Sequence, residues 1–99
     1  MSWYVYLARC ADDSLYCGIA RDVAARIAQH DAGKGARYTR GRGPLAVLWT
    51  RRCRDQGTAL RLEYALKQLT PKQKLAYVAK AEAVRARRRR SSANLASAR

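Results

Sequence analysis

Trp3-Tyr4-Val5-Tyr6-Leu7-Ala8 is a short run of aromatic, β-branched and apolar residues, and Asp12-Asp13-Ser14 supplies turn residues before a second run, Leu15-Tyr16-Cys17-Gly18-Ile19. Two such runs joined by polar turn residues predict an antiparallel hairpin. Residues two apart in a strand share a face, so the turn length decides whether Tyr6 and Tyr16 meet. A turn of about three or five residues puts them on one face and about four puts them on opposite faces. We expect one face. Asp22 is placed to cap a helix running to about Gly33, with Val23 and Ile27 one turn apart as its inward stripe and Gly33 as its stop. Arg26 and His30, four residues apart, then lie on one face of it.

From Gly33 to Gly43 the chain is rich in glycine and carries Lys34, Arg37, Arg40 and Arg42, which predicts a mobile basic loop. Pro44-Leu45-Ala46-Val47-Leu48-Trp49 is the most apolar stretch and reads as a central third strand whose burial ends at Arg51-Arg52. Thr58 suits the cap of a second helix with Leu62, Leu66 and Leu69 as its apolar stripe. Glu63 falls about 100° of helical rotation off that stripe, beside Lys67. Thr70-Pro71-Lys72-Gln73 matches a capping box with proline in the first turn and opens a third helix with Leu75 and Val78 inward. Five arginines crowd Arg85 to Arg90 without an apolar stripe, so residues 85–99 read as a basic, disordered tail behind a folded domain of residues 1–84. The fold class is therefore α/β in the α+β sense, a small three-stranded antiparallel sheet flanked by about three helices.

Ninety-nine residues suffice for one modest core and not for two, so any functional site lies on the surface of a single unit. Charge narrows the partners: 21 Lys and Arg against 7 Asp and Glu give +14. Setting aside the six arginines beyond residue 84 still leaves +8 on the folded body. Such a surface concentrates polyanions, and each phosphate contact releases condensed counterions. Nucleic acid is the leading partner, with DNA favoured; a merely soluble basic protein and one visiting anionic membranes are the plainer alternatives. Cys10, Cys17 and Cys53 are odd in number and lack CxxC spacing, which argues for reduced packing residues rather than a disulfide framework or zinc site. No run approaches the roughly 20 apolar residues of a membrane helix, and nothing resembles a leader, so a cytoplasmic location without membrane contact is expected.

Tyr4-Val5-Tyr6, then nine residues, then Tyr16-Cys17-Gly18 resembles the paired strand motifs of the GIY-YIG nuclease superfamily. Arg26 with His30, the loop Gly35-Ala36-Arg37-Tyr38-Thr39-Arg40-Gly41-Arg42, and Glu63 follow in the order that superfamily has them, within residues 3 to about 74. The match is to its small, stand-alone bacterial branch. Tyr4 stands where the namesake motif has glycine, and no asparagine follows Glu63 at the end of the folded region, as it does in many larger members.

The resemblance implies a metal-dependent endonuclease that hydrolyses phosphodiester bonds with one ion, Mg²⁺ or Mn²⁺, held by Glu63, and with no small-molecule cofactor. Its substrate would be DNA, including branched or single-stranded forms. The residues allow this. Cleavage needs an activated water, charge stabilisation on the phosphate and usually a hard cation. A carboxylate is rare here, and Glu63 can bind Mg²⁺ with waters and phosphate completing the shell; the plainer role is an ion pair with Lys67, worth about 0.3–0.5 kcal/mol. Tyr16 is the candidate for activating water and Tyr6 for holding it, although a free phenol titrates near ~10 and needs cations to lower it; two core tyrosines are the commoner outcome. By resemblance Arg26 is the catalytic arginine, and its fixed fork of donors suits a phosphate. His30 either assists a proton transfer or packs the helix end. Arg37, Tyr38, Thr39, Arg40 and Arg42, with Lys67, are the candidate nucleic-acid contacts, cations interleaved with a stacking aromatic. A DNA- or RNA-binding module that keeps the fold without the chemistry is the first rival reading, and a protein- or membrane-surface role for the arginine tail is the second.

Overall fold

The computed structural model describes residues 2–97, with side chains as far as residue 89. Three strands, β1 (Trp3–Arg9), β2 (Leu15–Ala20) and β3 (Ala46–Cys53), and three helices, α1 (Val23–Asp31), α2 (Gln56–Lys67) and α3 (Pro71–Ser97), follow one another, with a single 3₁₀ turn, Arg37–Thr39, between α1 and β3. The strands form one antiparallel sheet in the order β2-β1-β3.

β1, not β3, is therefore the central strand. Val5, Tyr6, Leu7 and Ala8 are four consecutive buried residues, as expected where both faces of a strand are covered, whereas β3 exposes Val47 and both Arg51 and Arg52. The most apolar stretch of sequence thus forms an edge. Nor does β3 stop at its arginines: Tyr4 pairs with Arg52 and Val5 with Arg51, so the backbone stays in the ladder while the long side chains leave the sheet for solvent.

Strand parity divides the interior in two. Val5, Leu7, Cys17, Trp49 and Cys53 face Ala59 and Leu66 of α2, with Tyr77, Val78 and Ala81 of α3 packed alongside. Tyr6, Ala8 and Ala20 face the other way, toward Val23 and Ile27 of α1.

The caps explain the helix limits. Asp22 accepts a hydrogen bond from the Ala25 amide at 3.0 Å, and beyond α1 Gly33 takes the left-handed φ of +77°. In α2 the cap is Asp55 rather than Thr58: its carboxylate accepts the Thr58 amide at 2.8 Å, which leaves Thr58 inside the first turn. The capping box of α3 forms in both directions, the Gln73 amide donating to Thr70 Oγ1 at 3.2 Å and the Thr70 amide to Gln73 Oε1 at 2.9 Å. Leu75, expected inward, is 39 % exposed because Tyr77 sets the rotation of α3 by packing edge-on against Trp49, centroids 5.6 Å apart.

No break in α3 marks Arg85, where a disordered tail was expected. Alanine and arginine are both good helix formers, and the helix continues to Ser97. Arg85 itself returns to the body, donating to the Thr50 carbonyl at 3.3 Å and pairing with Glu82. Residues 98–99 of the expected tail lie outside the described residues. No helix among the described residues is long and apolar enough to cross a membrane.

Candidate functional site

Tyr6 pairs with Gly18 and Ala8 with Tyr16, leaving a five-residue turn over positions 10–14. That is one of the two lengths that bring both tyrosines to one face, and their ring centroids lie 6.2 Å apart. The turn is built by Asp12, whose carboxylate accepts the Ser14 amide, and by Asp13 in the left-handed region at φ 67°, which aspartate tolerates better than most residues.

Between the two phenols Gly18 is sterically required. A Cβ there would lie 2.6 Å from the Tyr6 hydroxyl oxygen and 3.0 Å from the Tyr16 ring. Gly35 plays the same part for His30, whose ring occupies the space a Cβ would fill.

The two tyrosines have different surroundings. Tyr6 is 0 % exposed and its hydroxyl lies 2.9 Å from His30 Nε2. His30 Nδ1 lies 2.7 Å from Thr39 Oγ1, and that hydroxyl is 2.8 Å from the Ala36 carbonyl, which can only accept. Nδ1 thus has two partners, the Thr39 hydroxyl and the Ala36 amide, while Nε2 faces the Tyr6 hydroxyl. The Ala36 amide donates to Nδ1 at 3.3 Å. This relay holds the His30 ring in place and engages the Tyr6 hydroxyl. Arg26 faces that oxygen: its guanidinium lowers the Tyr6 phenol against the larger upward push of burial and of Tyr16. Gln29 Oε1 accepts from Arg26 Nη1 at 2.9 Å and steadies the side chain on α1.

Tyr16 is half-buried rather than sealed in. Burial raises its phenol, Arg26 lowers it and Glu63 raises it. Arg26 sits on α1 and Glu63 on α2, over opposite faces of the sheet, and both act on this one hydroxyl around the β2 edge. Glu63 keeps 18 % of its side chain exposed and lies 3.7 Å from Lys67 Nζ, too long for a strong charge-assisted bond.

The loop expected to be mobile is docked against the hairpin. The Ala11 amide donates to the Arg42 carbonyl at 2.7 Å, and Arg42 Nη1 donates to Asp12 Oδ2 at 2.8 Å. Tyr38 stacks on Tyr16, centroids 5.9 Å apart and planes 26° apart, with the Arg42 guanidinium 4.4 Å from the Tyr38 centroid. Thr39 is wholly buried and serves the relay, so it presents nothing to a ligand. Arg37 and Arg40 are exposed, as is Tyr38 at 45 %.

A cleft of about 280 Å³ lined by Tyr16, Tyr38, Lys67 and Lys74, with Leu15 and Cys17, opens beside this stack. It is smaller than the roughly 300–1,000 Å³ of most small-molecule sites, a size better suited to one unit of a polymer. Lys74 is the residue the sequence did not single out; only its place one α3 turn beyond the Thr70 cap, near the end of α2, could have suggested it. Cys17 packs in the core below, its thiol pushed up to about 11 by burial, in keeping with a structural role.

The depressed His30 gives a pH signature. Burial first and Arg26 second hold its pKa below the ordinary value. An unfolded chain takes up that proton near pH ~6.5, before the folded one does, so stability falls as pH drops from there toward the lowered folded value. Urea unfolding at pH 7.5 and 5.5 checks this: the wild type should lose more stability than His30→Gln, and equal losses would remove His30 as the cause.

Residues 2–76 match the family described as the GIY-YIG catalytic domain. A UPF0213 protein of Vibrio cholerae is 51% identical over 78% of this chain and 77% of its own. The UPF0213 protein YhbQ of Salmonella typhimurium is 49% identical over 85% and 84% of the two chains. The solution NMR structure of the UPF0213 protein BH0048 from Bacillus halodurans aligns with a TM-score of 0.53 at 43% identity, covering 80% of this chain and 84% of that one. The solution structure of EF2693 from E. faecalis aligns at 0.61 with 33% identity, over 83% and 88%.

Proposed function

The chain belongs to the GIY-YIG catalytic domain family, and from that premise we propose that it is an endonuclease hydrolysing phosphodiester bonds in DNA with the help of one divalent ion. The observation that carries this reading is the gathering of Tyr16 with Tyr6 and His30 on one side and with Tyr38, Lys67 and Lys74 in the cleft at the β2 edge, where the charges of Arg26 and Glu63 both bear on its phenol.

In this reading Tyr16 is the general base, because it is the phenol at the surface. Tyr6 is not free to act as one, since it is sealed from solvent with its hydroxyl bonded to His30, and with His30 and Thr39 it forms the support beside Arg26. His30 is accordingly a positioning residue. Arg26 meets the phosphate oxygens as negative charge develops on them, a role in which one well-placed donor is worth about 10²–10³-fold.

No group of three or more metal-ligating side chains occurs among the described residues. A single carboxylate nevertheless fits a hard cation that takes most of its shell from water and substrate phosphate. Glu63 is such a donor, and its long pairing with Lys67 leaves the carboxylate oxygens open to an ion. The ion would supply charge neutralisation on the phosphate. Glu63 is also one of the groups raising the Tyr16 phenol, so a carboxylate neutralised by a bound cation no longer opposes loss of that proton. Tyr38, stacked beside Tyr16, offers a base a flat partner, and Lys67 and Lys74 offer the neighbouring phosphates compact charges.

The test is incubation with labelled duplex, single-stranded and branched DNA in Mg²⁺, Mn²⁺ or EDTA, for the wild type and Glu63→Gln. We expect metal-dependent internal cuts by the wild type. Glu63→Gln should cut at least about a hundredfold more slowly, a loss of ~2.7 kcal/mol of transition-state stabilisation, while still binding. Binding without cutting under every metal condition would leave a nucleic-acid-binding module in place of the enzyme.

A further inference from the structure

We infer that the β3 edge of the sheet is a second phosphate-backbone surface, holding a segment of nucleic acid separate from the one at Tyr16. The inference rests on the nucleic-acid reading above and adds a second site to it. β3 lies at the opposite edge from β2, which carries Tyr16. Two adjoining clefts open there: Arg51, Arg52, Arg54 and Arg61 line one, and Arg51, Arg85 and Arg88 line the other.

The partners of these arginines set the surface apart. Arg52 Nε donates to the Ser2 hydroxyl at 2.6 Å, Arg51 Nη1 to the Tyr77 hydroxyl at 3.3 Å, and Arg61 Nη2 to the Thr58 hydroxyl at 3.2 Å. Arg85 Nη2 donates to the Thr50 carbonyl. Each neutral oxygen orients a guanidinium without cancelling its charge, and each leaves most of its five donors free. The carboxylates nearby do little to offset them. Glu82 is 3.8 Å from Arg85, and Asp55 Oδ2 is 3.5 Å from Arg54 while Oδ1 caps α2. Arg42, on the other side of the molecule, shows the contrast, being bonded to Asp12 at 2.8 Å.

Holding six cations together without matching anions raises the energy of the free protein, and an anionic polymer relieves it. The planar fork of arginine fits phosphate oxygens two at a time. Neither cleft is lined by a carboxylate, and the one thiol at their walls, Cys53, is buried in the core. The edge therefore binds, and the opposite edge cuts.

Two short duplexes, one carrying a fluorescent donor and the other an acceptor, are mixed with wild type or with Arg51→Ala/Arg52→Ala/Arg61→Ala. Energy transfer reports bridging, and anisotropy of one duplex reports simple binding. The wild type should bridge, with transfer lost above equimolar protein. The triple variant should lose bridging, and the slope of log affinity against log salt should flatten by about 0.9 for each phosphate contact removed. Single-turnover cutting of a bound duplex should change less than about threefold. All three arginines are exposed and lie outside the Tyr16 site, and equal urea midpoints establish that the variant is folded. Unchanged bridging and salt slope in the triple variant overturns the second surface and leaves the nuclease reading standing. Binding of anionic vesicles but of no duplex overturns both.

Discussion

Tyr16→Phe should slow single-turnover cleavage by about 10²–10⁴-fold, the range for loss of a general base, with nucleic-acid affinity nearly unchanged. The substitution removes one oxygen and keeps the ring that stacks on Tyr38 and packs edge-on against His30 at 5.0 Å, so folding and base stacking survive it. The matched control is Tyr6→Phe. It strips the partner from a fully buried His30 nitrogen and should cost about 1–3 kcal/mol of stability, the ordinary penalty for an orphaned buried polar group, with a smaller loss of cutting through a less well aimed Arg26. Urea midpoints and cleavage rates for both variants separate the two roles. A Tyr16→Phe protein that cuts at the wild-type rate would remove this phenol from the chemistry.

Gly18→Ala should be the most damaging one-carbon change in the hairpin. The added methyl would lie 2.6 Å from the Tyr6 oxygen and 2.7 Å from Cζ of its ring. Tyr6 cannot retreat, because it is enclosed on all sides and bonded to His30. Overpacking of this kind costs about 1–3 kcal/mol. For a domain of this size each kilocalorie lowers the melting temperature by roughly 4–8 °C. Cleavage measured well below the melting point should fall as well, since displacing Tyr6 disturbs Arg26. Thermal unfolding within about 1 °C of the wild type would show that the hairpin absorbs the methyl, and the close-approach account of Gly18 would fail.

Alternation, caps and turn chemistry are local, and they made the hairpin, the Asp22 cap and the Thr70–Gln73 box legible from the chain alone. The placement of Tyr6 and Tyr16 on one face followed from parity and a five-residue turn. What the sequence hid was decided by tertiary packing. Apolar content suggested that residues 44–49 were central, yet burial on both faces went to β1, because both neighbouring strands pair with it. Leu75 lost its inward place to the Tyr77–Trp49 contact. Polar composition made the glycine-rich loop look mobile, and no local rule shows that Thr39 would reach His30 across nine residues. Arg85 to Arg90 looked like the start of a tail because they lack a stripe, although helix propensity alone favours continuation.

In the site itself, the family resemblance selected Arg26, Tyr16 and Glu63 and suggested different parts for the two tyrosines, while their different burial needed coordinates. Burial separates a phenol sealed under a helix from one at the rim, and neither spacing nor composition carries that distinction.

A sheet only three strands wide brings one further consequence. Tyr16 belongs to β2, the outermost strand on its side, and groups from above and below meet it around a rim instead of at the bottom of a pit. A rim has no end wall. A long thread can be laid across it sideways at any point along its length, with no terminus to feed in, so the covalent continuity of the polymer on either side is no obstacle to approach.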